Sequence, residues 1–193
     1  MDSSNDRLPA PDFADMSVEQ QKAFTEIASG PRGALIGPFA PLLRSPELMT
    51  RVQKVGEFLR FNSCMDSVHF EMCILLVARR WNQQFEWSFH QPLALEAGLP
   101  LRIVEAIGTG IRPTTDIPPD LDVLWELFDQ IDQHSVVDDA TYLRALNTFG
   151  DAAVVELLAT IGYYTLLAIV MNVAQTPAPD SPALPGSAGG RKA

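Results

Sequence analysis

Apolar residues recur along this chain at spacings of three and four, the period that gathers them into one stripe of an α-helix, while two-residue alternation is nearly absent. The pattern predicts a succession of helices. Ser17 stands as an N-cap, with Gln20 completing a capping box, and Gly30-Pro31 ends this first helix. The run Gly33–Leu43 is apolar but broken by Gly and Pro, and reads as a buried loop with a short turn. Ser45-Pro46 opens the next helix, with Leu48, Val52, Val55, Phe58 and Leu59 as its core-facing stripe. Asp66 or Ser67 caps a helix reaching about Trp81 that buries Phe70, Cys73, Ile74 and Val77. Another covers roughly 83–97 and stops at Gly98; Pro92 inside it removes one backbone donor and predicts a kink or a shortened helix. Helices follow from Pro100 to about Ile107 and over about 120–134, 139–149 and 151–174.

The two ends depart from this period. Residues 1–16 are polar, acidic and Pro-containing and read as a flexible arm, whereas 175–193 are rich in Pro, Gly, Ala and Ser and read as a disordered tail. One domain, 17–174, is expected between them. Its last helix holds a run, Val154–Val173, in which Glu156 is the one charge, and a membrane span needs ~20 apolar residues. Thr160, Thr165 and Asn172 dilute the run and no basic residue flanks it, so a helix buried in a bundle or at a subunit interface is expected, with no membrane partner.

Composition narrows the function classes. A chain of 193 residues with 47% hydrophobic and 20% charged residues suits one domain with a packed core. Its net charge of −10 repels a phosphate backbone and anionic lipid, so no nucleic-acid partner is expected. The two cysteines, Cys64 and Cys73, form no CxxC and no zinc-spaced cluster; they read as reduced thiols, with no metal expected. The first residues lack the basic flank and apolar block of a signal peptide, which points to the cytoplasm.

The candidate chemistry lies in the helix over 83–97. Gln83, Glu86, Trp87 and His90 fall at i, i+3, i+4 and i+7, one face of a helix, beside Phe85 and Phe89. A carboxylate four residues before an imidazole can fix its tautomer and form an acid/base pair, although the same spacing also suits a solvated ion pair. Glu71, in the apolar run Phe70–Leu76 of the preceding helix, comes beside His90 if the two helices are antiparallel. Arg79 and Arg80 could hold an acidic group of a substrate or pair with nearby acids. Gln83, Trp87 and Arg79 are the expected substrate-binding residues, while His69 and His134 read as solvated or capping residues.

These residues also carry a resemblance. Glu71-x-x-Ile74-Leu75-x-x-Ala78-Arg79, then Phe85-Glu86-Trp87-x-x-His90-x-x-x-Ala94-x-x-Ala97-Gly98-Leu99, resembles the carboxymuconolactone decarboxylase family of the alkylhydroperoxidase-like superfamily. The likeness spans roughly 8–173. It implies an all-α domain of about six to eight helices that assembles as a trimer or hexamer. The hydroperoxidases of the superfamily carry a CxxC ending four residues before the histidine; here those positions are Gln83 and Glu86, so a disulfide cycle there has no thiols to run on. The decarboxylases carry Glu followed four residues later by His, as Glu86 and His90 do. The resemblance therefore implies a cofactor-independent lyase acting on a carboxylated lactone or related acid, with Glu86, His90 and Glu71 as catalytic residues. Glu71 matches the hydroperoxidase branch more than the decarboxylase branch, and the chain is longer than the usual decarboxylase. An isomerase, hydratase or lactone hydrolase on the same residues, and a non-catalytic oligomer, are the competing expectations.

Overall fold

A helix with no polar face has to be surrounded by others, and the segment 67–80 is placed accordingly. In the computed structural model, which describes residues 5–179 and 181–186, the helices are α1 (Val18–Ser29), α2 (Phe39–Leu42), α3 (Pro46–Phe61), α4 (Ser67–Arg80), α5 (Gln84–Glu96), α6 (Leu101–Thr109), α7 (Pro119–His134), α8 (Asp139–Phe149) and α9 (Asp151–Ala174). No strand occurs among the described residues. The fold is all-α, as expected, with the four-residue α2 as an addition inside the predicted loop. Helix α4 is the hub: every residue from His69 to Ala78 is buried, and α5, α6, α7 and α9 all pack on it.

Helix α9 satisfies the length and composition of a membrane span, yet half of its most apolar window is buried against the rest of the chain. Leu157, Ile161, Tyr164, Leu167 and Met171 face the core, while Val155, Leu158, Leu166, Ile169 and Val173 are exposed. Helix α3 shows the same division. Its buried face carries Met49, Val52, Gln53, Gly56 and Leu59, whereas Leu48, Val55 and Phe58 of the predicted stripe lie exposed. The neighbouring stripe turns inward because Gly56 brings α3 close to α9; a Cβ there would collide with the Tyr163 hydroxyl and with Arg32.

Three local expectations need correction. Pro92 lies inside α5 without ending it, since packing on α4 holds the helix through the missing rung. His69, read as solvated or capping, is buried, bonded to Asp120 at 2.7 Å and edge-on to Phe149. After α9, described residues up to 186 pack against the rest of the chain. They fold back over α5: the Pro182 carbonyl accepts from Gln84 Nε2 and Ser88 Oγ, Leu184 N donates to Gln84 Oε1, and the Leu184 side chain is buried. No apolar period announces this, because one leucine and a few carbonyls do the anchoring. The beginning of the chain is tied down as well. Arg7 N donates to the Ala174 carbonyl, Phe13 meets Phe24 edge to face, and Met16 is buried. Residues 1–4 and 187–193, parts of the expected arm and tail, lie outside the described residues.

The packing of Leu184 has a measurable consequence. Leu184→Ala is expected to cost about 2–4 kcal/mol in urea unfolding, and truncation after Gln175 at least as much. Parent-like stability in both variants would mean that the segment contributes nothing to the fold.

Candidate active site

Helices α4 and α5 are joined by a tight reversal. Asn82 takes a left-handed conformation (φ 49°), a region that Asn tolerates well. Gln83 N donates to the Ala78 carbonyl, and the Gln83 side chain caps α5 by accepting from Phe85 N at 2.6 Å. The Gln83 amide group donates to Asn172 Oδ1, pinning the start of α5 to α9. The two helices then run antiparallel, and residues 19 apart meet: His90 Nδ1 lies 2.7 Å from Glu71 Oε2. On the other side of the ring, Nε2 lies 3.4 Å from Glu86 Oε2. All three side chains are buried.

The geometry assigns protons. With Glu71 accepting, Nδ1 carries the hydrogen and Nε2 turns its lone pair toward Glu86. Burial pushes the Glu86 carboxyl above the usual glutamate range, and the nearby charges of His90, Arg32 and Arg60 pull it back only in part. Burial therefore favours the neutral form of the Glu86 carboxyl. Tyr164 packs edge-on to the His90 ring at 5.4 Å, and burial raises its hydroxyl well above the ordinary tyrosine value.

Glu86 and His90 border a narrow cavity of about 40 Å³ whose wall also includes Arg32, Arg60, Phe85, Phe89 and Tyr164. Glu71 faces the other way, into an open groove of about 430 Å³ between α3, α4 and the end of α5; Arg60 borders both spaces. The loop 31–38 covers the cavity. Gly37 sits in it at φ 57°, and a Cβ there would strike the Phe85 ring. Arg32 lies over the Phe39 ring and donates to the Tyr163 hydroxyl at 3.5 Å.

Of the expected site residues, the fold brings Glu71, Glu86 and His90 together and directs the other three elsewhere. Gln83 is the α5 cap just described. Trp87 is buried against Gly108 and Pro185, toward α6 and the returning segment. Arg79 lies near Gly110 and donates to the Pro185 carbonyl at 3.1 Å. The i, i+4 step from Gln83 to Trp87 turns them from the cavity, and Phe85 and Phe89 line it instead. Arg32 and Arg60, absent from the sequence reading, are the cations at the cavity; neither lies in the motif, and only folding brings their segments there. Neither cysteine is at the cavity: Cys64 is exposed and contacts Glu156, and Cys73 is buried in α4 with its thiol pushed up to about 12 by that burial. Among the described residues, no group of three or more His, Cys, Asp and Glu side chains is arranged to hold a metal ion.

The sequence matches no protein-family model and no curated protein. Its structure is similar to a solved one, the alkylhydroperoxidase AhpD core of an uncharacterized peroxidase-related protein from Ralstonia eutropha JMP134. The match has a TM-score of 0.69 over 90% of this chain and 92% of that one, at 16% identity. The fold is that of the AhpD core. The expected alkylhydroperoxidase-like architecture is thereby established from the coordinates, across a sequence distance that leaves chemistry to be argued from the site.

The raised Glu86 carboxyl gives this site a pH signature. As pH rises above the usual glutamate range, the unfolded chain releases the Glu86 proton before the native protein does, so folding loses stability until Glu86 ionises in the fold. Glu86→Gln abolishes that loss. The stability of the variant relative to the parent should therefore grow with pH in that window, by up to about 1.4 kcal/mol per pH unit. Urea unfolding across the range tests this; parallel pH curves would mean that Glu86 is already ionised in the native protein.

Proposed function

We propose that this protein is a cofactor-independent carboxy-lyase acting on a carboxylated lactone such as γ-carboxymuconolactone, or on a related acid. The observation that carries the proposal is a buried Glu86 on a cavity wall, its carboxyl raised by that burial, in line with His90 and Glu71. In such a substrate the bond between carbon and carboxylate breaks, its electron pair passes into the conjugated lactone carbonyl, and CO₂ leaves. The resulting dienolate takes the Glu86 proton at carbon. The Glu86 carboxylate left behind is held by His90, Arg32 and Arg60 until a proton from water restores it. Tyr164 and the Phe85–Phe89 pair keep bulk water away from the charge that develops. At about 40 Å³ the cavity takes a small head group and not a whole lactone. Binding a lactone therefore requires the 31–38 loop, which contributes Arg32, Ile36 and Pro38 to the wall, to move outward.

The test is CO₂ release from γ-carboxymuconolactone by the purified protein. Release is expected, falling by at least about 100-fold in both Glu86→Gln and His90→Ala. Conversion without CO₂ would favour an isomerase, hydratase or lactone hydrolase using the same residues. Activity unchanged in both variants would remove this site from the chemistry.

We also propose that a second copy of the chain covers the apolar faces of α3 and α9, where Val55, Phe58 and Val155 border an open groove. Light scattering should then give a multiple of the 21.2 kDa chain, a trimer or hexamer, and Phe58→Glu with Val155→Glu should reduce it. A monomeric parent would refute the interface.

A further inference from the structure

We infer that Arg32 and Arg60 form a carboxylate-binding subsite at the narrow cavity, and that its ligand is a small, planar, unsaturated carboxylic acid. The inference rests on the acid–base reading of the same cavity and goes beyond it by naming the groups that recognise the ligand.

Neither arginine is committed to a carboxylate of the chain. The chain has 24 acidic against 14 basic side chains, and Arg51, Arg80, Arg112 and Arg144 each pair with a carboxylate. Among the described residues no carboxylate lies within ion-pair distance of Arg32 or Arg60, although both border a cavity that contains Glu86. Nor do they serve merely as counter-ions to Glu86, because its carboxyl is raised, where two dominant cations would have lowered it.

Both guanidiniums are held ready for an acceptor in their plane. Arg32 lies over the Phe39 face, its terminal nitrogen is held by Tyr163, and its buried Nε finds no acceptor. Gly56 leaves the room that this arrangement needs. Arg60 lies over the faces of Phe61 and Phe89. An arginine stacked by its face keeps its N–H edge for a planar, bidentate oxygen pair, which is the form of a carboxylate. The cavity volume of about 40 Å³ fits such a head group. Beside it, Phe85 and Phe89 lie nearly parallel, 7° apart with centroids 6.1 Å from one another, and offer flat apolar surface to an unsaturated body.

The full-length protein is titrated calorimetrically with furan-2-carboxylate and with furan-2-carboxamide, which has nearly the same shape and no charge. Arg side-chain Nε–H signals are followed by NMR in parallel. The carboxylate should bind, the amide should not, and the Arg32 Nε–H signal should shift on binding. Arg32→Met and Arg60→Met should each weaken binding by at least about tenfold. Should a methionine variant fail to fold, the lysine variant at that position keeps the charge but not the planar fork, and it should weaken binding as well. Equal binding of acid and amide, parent-like binding in folded variants at either arginine, or no binding to the parent would each overturn the subsite. Binding needs no turnover, so this result stands or falls separately from CO₂ release.

Discussion

Two carboxyl groups and an imidazole are held out of water between α4 and α5, and the rest of the arrangement answers to that burial. A charged group moved into an apolar interior is costly unless it is paired or neutralised. Here both solutions operate in one line of side chains. Glu71 is satisfied by His90 Nδ1 at 2.7 Å, and burial shifts Glu86 toward its neutral form. Removing one partner from a buried set of this kind typically costs about 3–5 kcal/mol, so the surrounding helices have to hold the three groups in register. Helix α4 does so by being enclosed along His69–Ala78, which fixes Glu71 in position and rotation. The Gln83 cap and its bond to Asn172 do the same for the start of α5.

The line of three groups has two different ends. Glu71 borders a broad groove and Glu86 a narrow cavity, with the His90 ring between them. The buried Glu86 carboxyl is thereby in line, through the imidazole, with a second buried carboxylate. Two glycines keep the Glu86 side narrow. Gly56 lets Tyr163 and Arg32 approach α3, and Gly37 lets the covering loop lie on the Phe85 ring. The cations reach the cavity from the covering loop and from the end of α3, not from the helix that bears the acid and base.

Much of this could be read from the residues alone. Helical period, the Ser17–Gln20 capping box and the glycine stops gave an all-α chain with nearly correct boundaries, because those signals are local. The pair Glu86–His90 follows from i, i+4 spacing, and Glu71 from the length of an antiparallel hairpin. Periodicity could not choose between adjacent stripes of one helix. It therefore placed Leu48, Val55 and Phe58 inside when they lie outside, and put Gln83 and Trp87 at the cavity when Phe85 and Phe89 are there.

Composition misled at the C-terminal end for a similar reason. Residues 176–186 carry no period of their own, and Pro182 and Leu184 are held by Gln84 and Ser88, polar groups of a distant helix that need partners. The sequence by itself determined the helices and the Glu86–His90 pair, consequences of residues within a few positions of each other. Only the tertiary structure decided which charges surround that pair. Arg32, Arg60 and Tyr164 lie far from one another along the chain, and Arg79 was turned toward Pro185 by the packing of its helix. Desolvation of Glu86 also belongs to the assembled fold, since a carboxyl is raised by what encloses it and not by its neighbours in sequence.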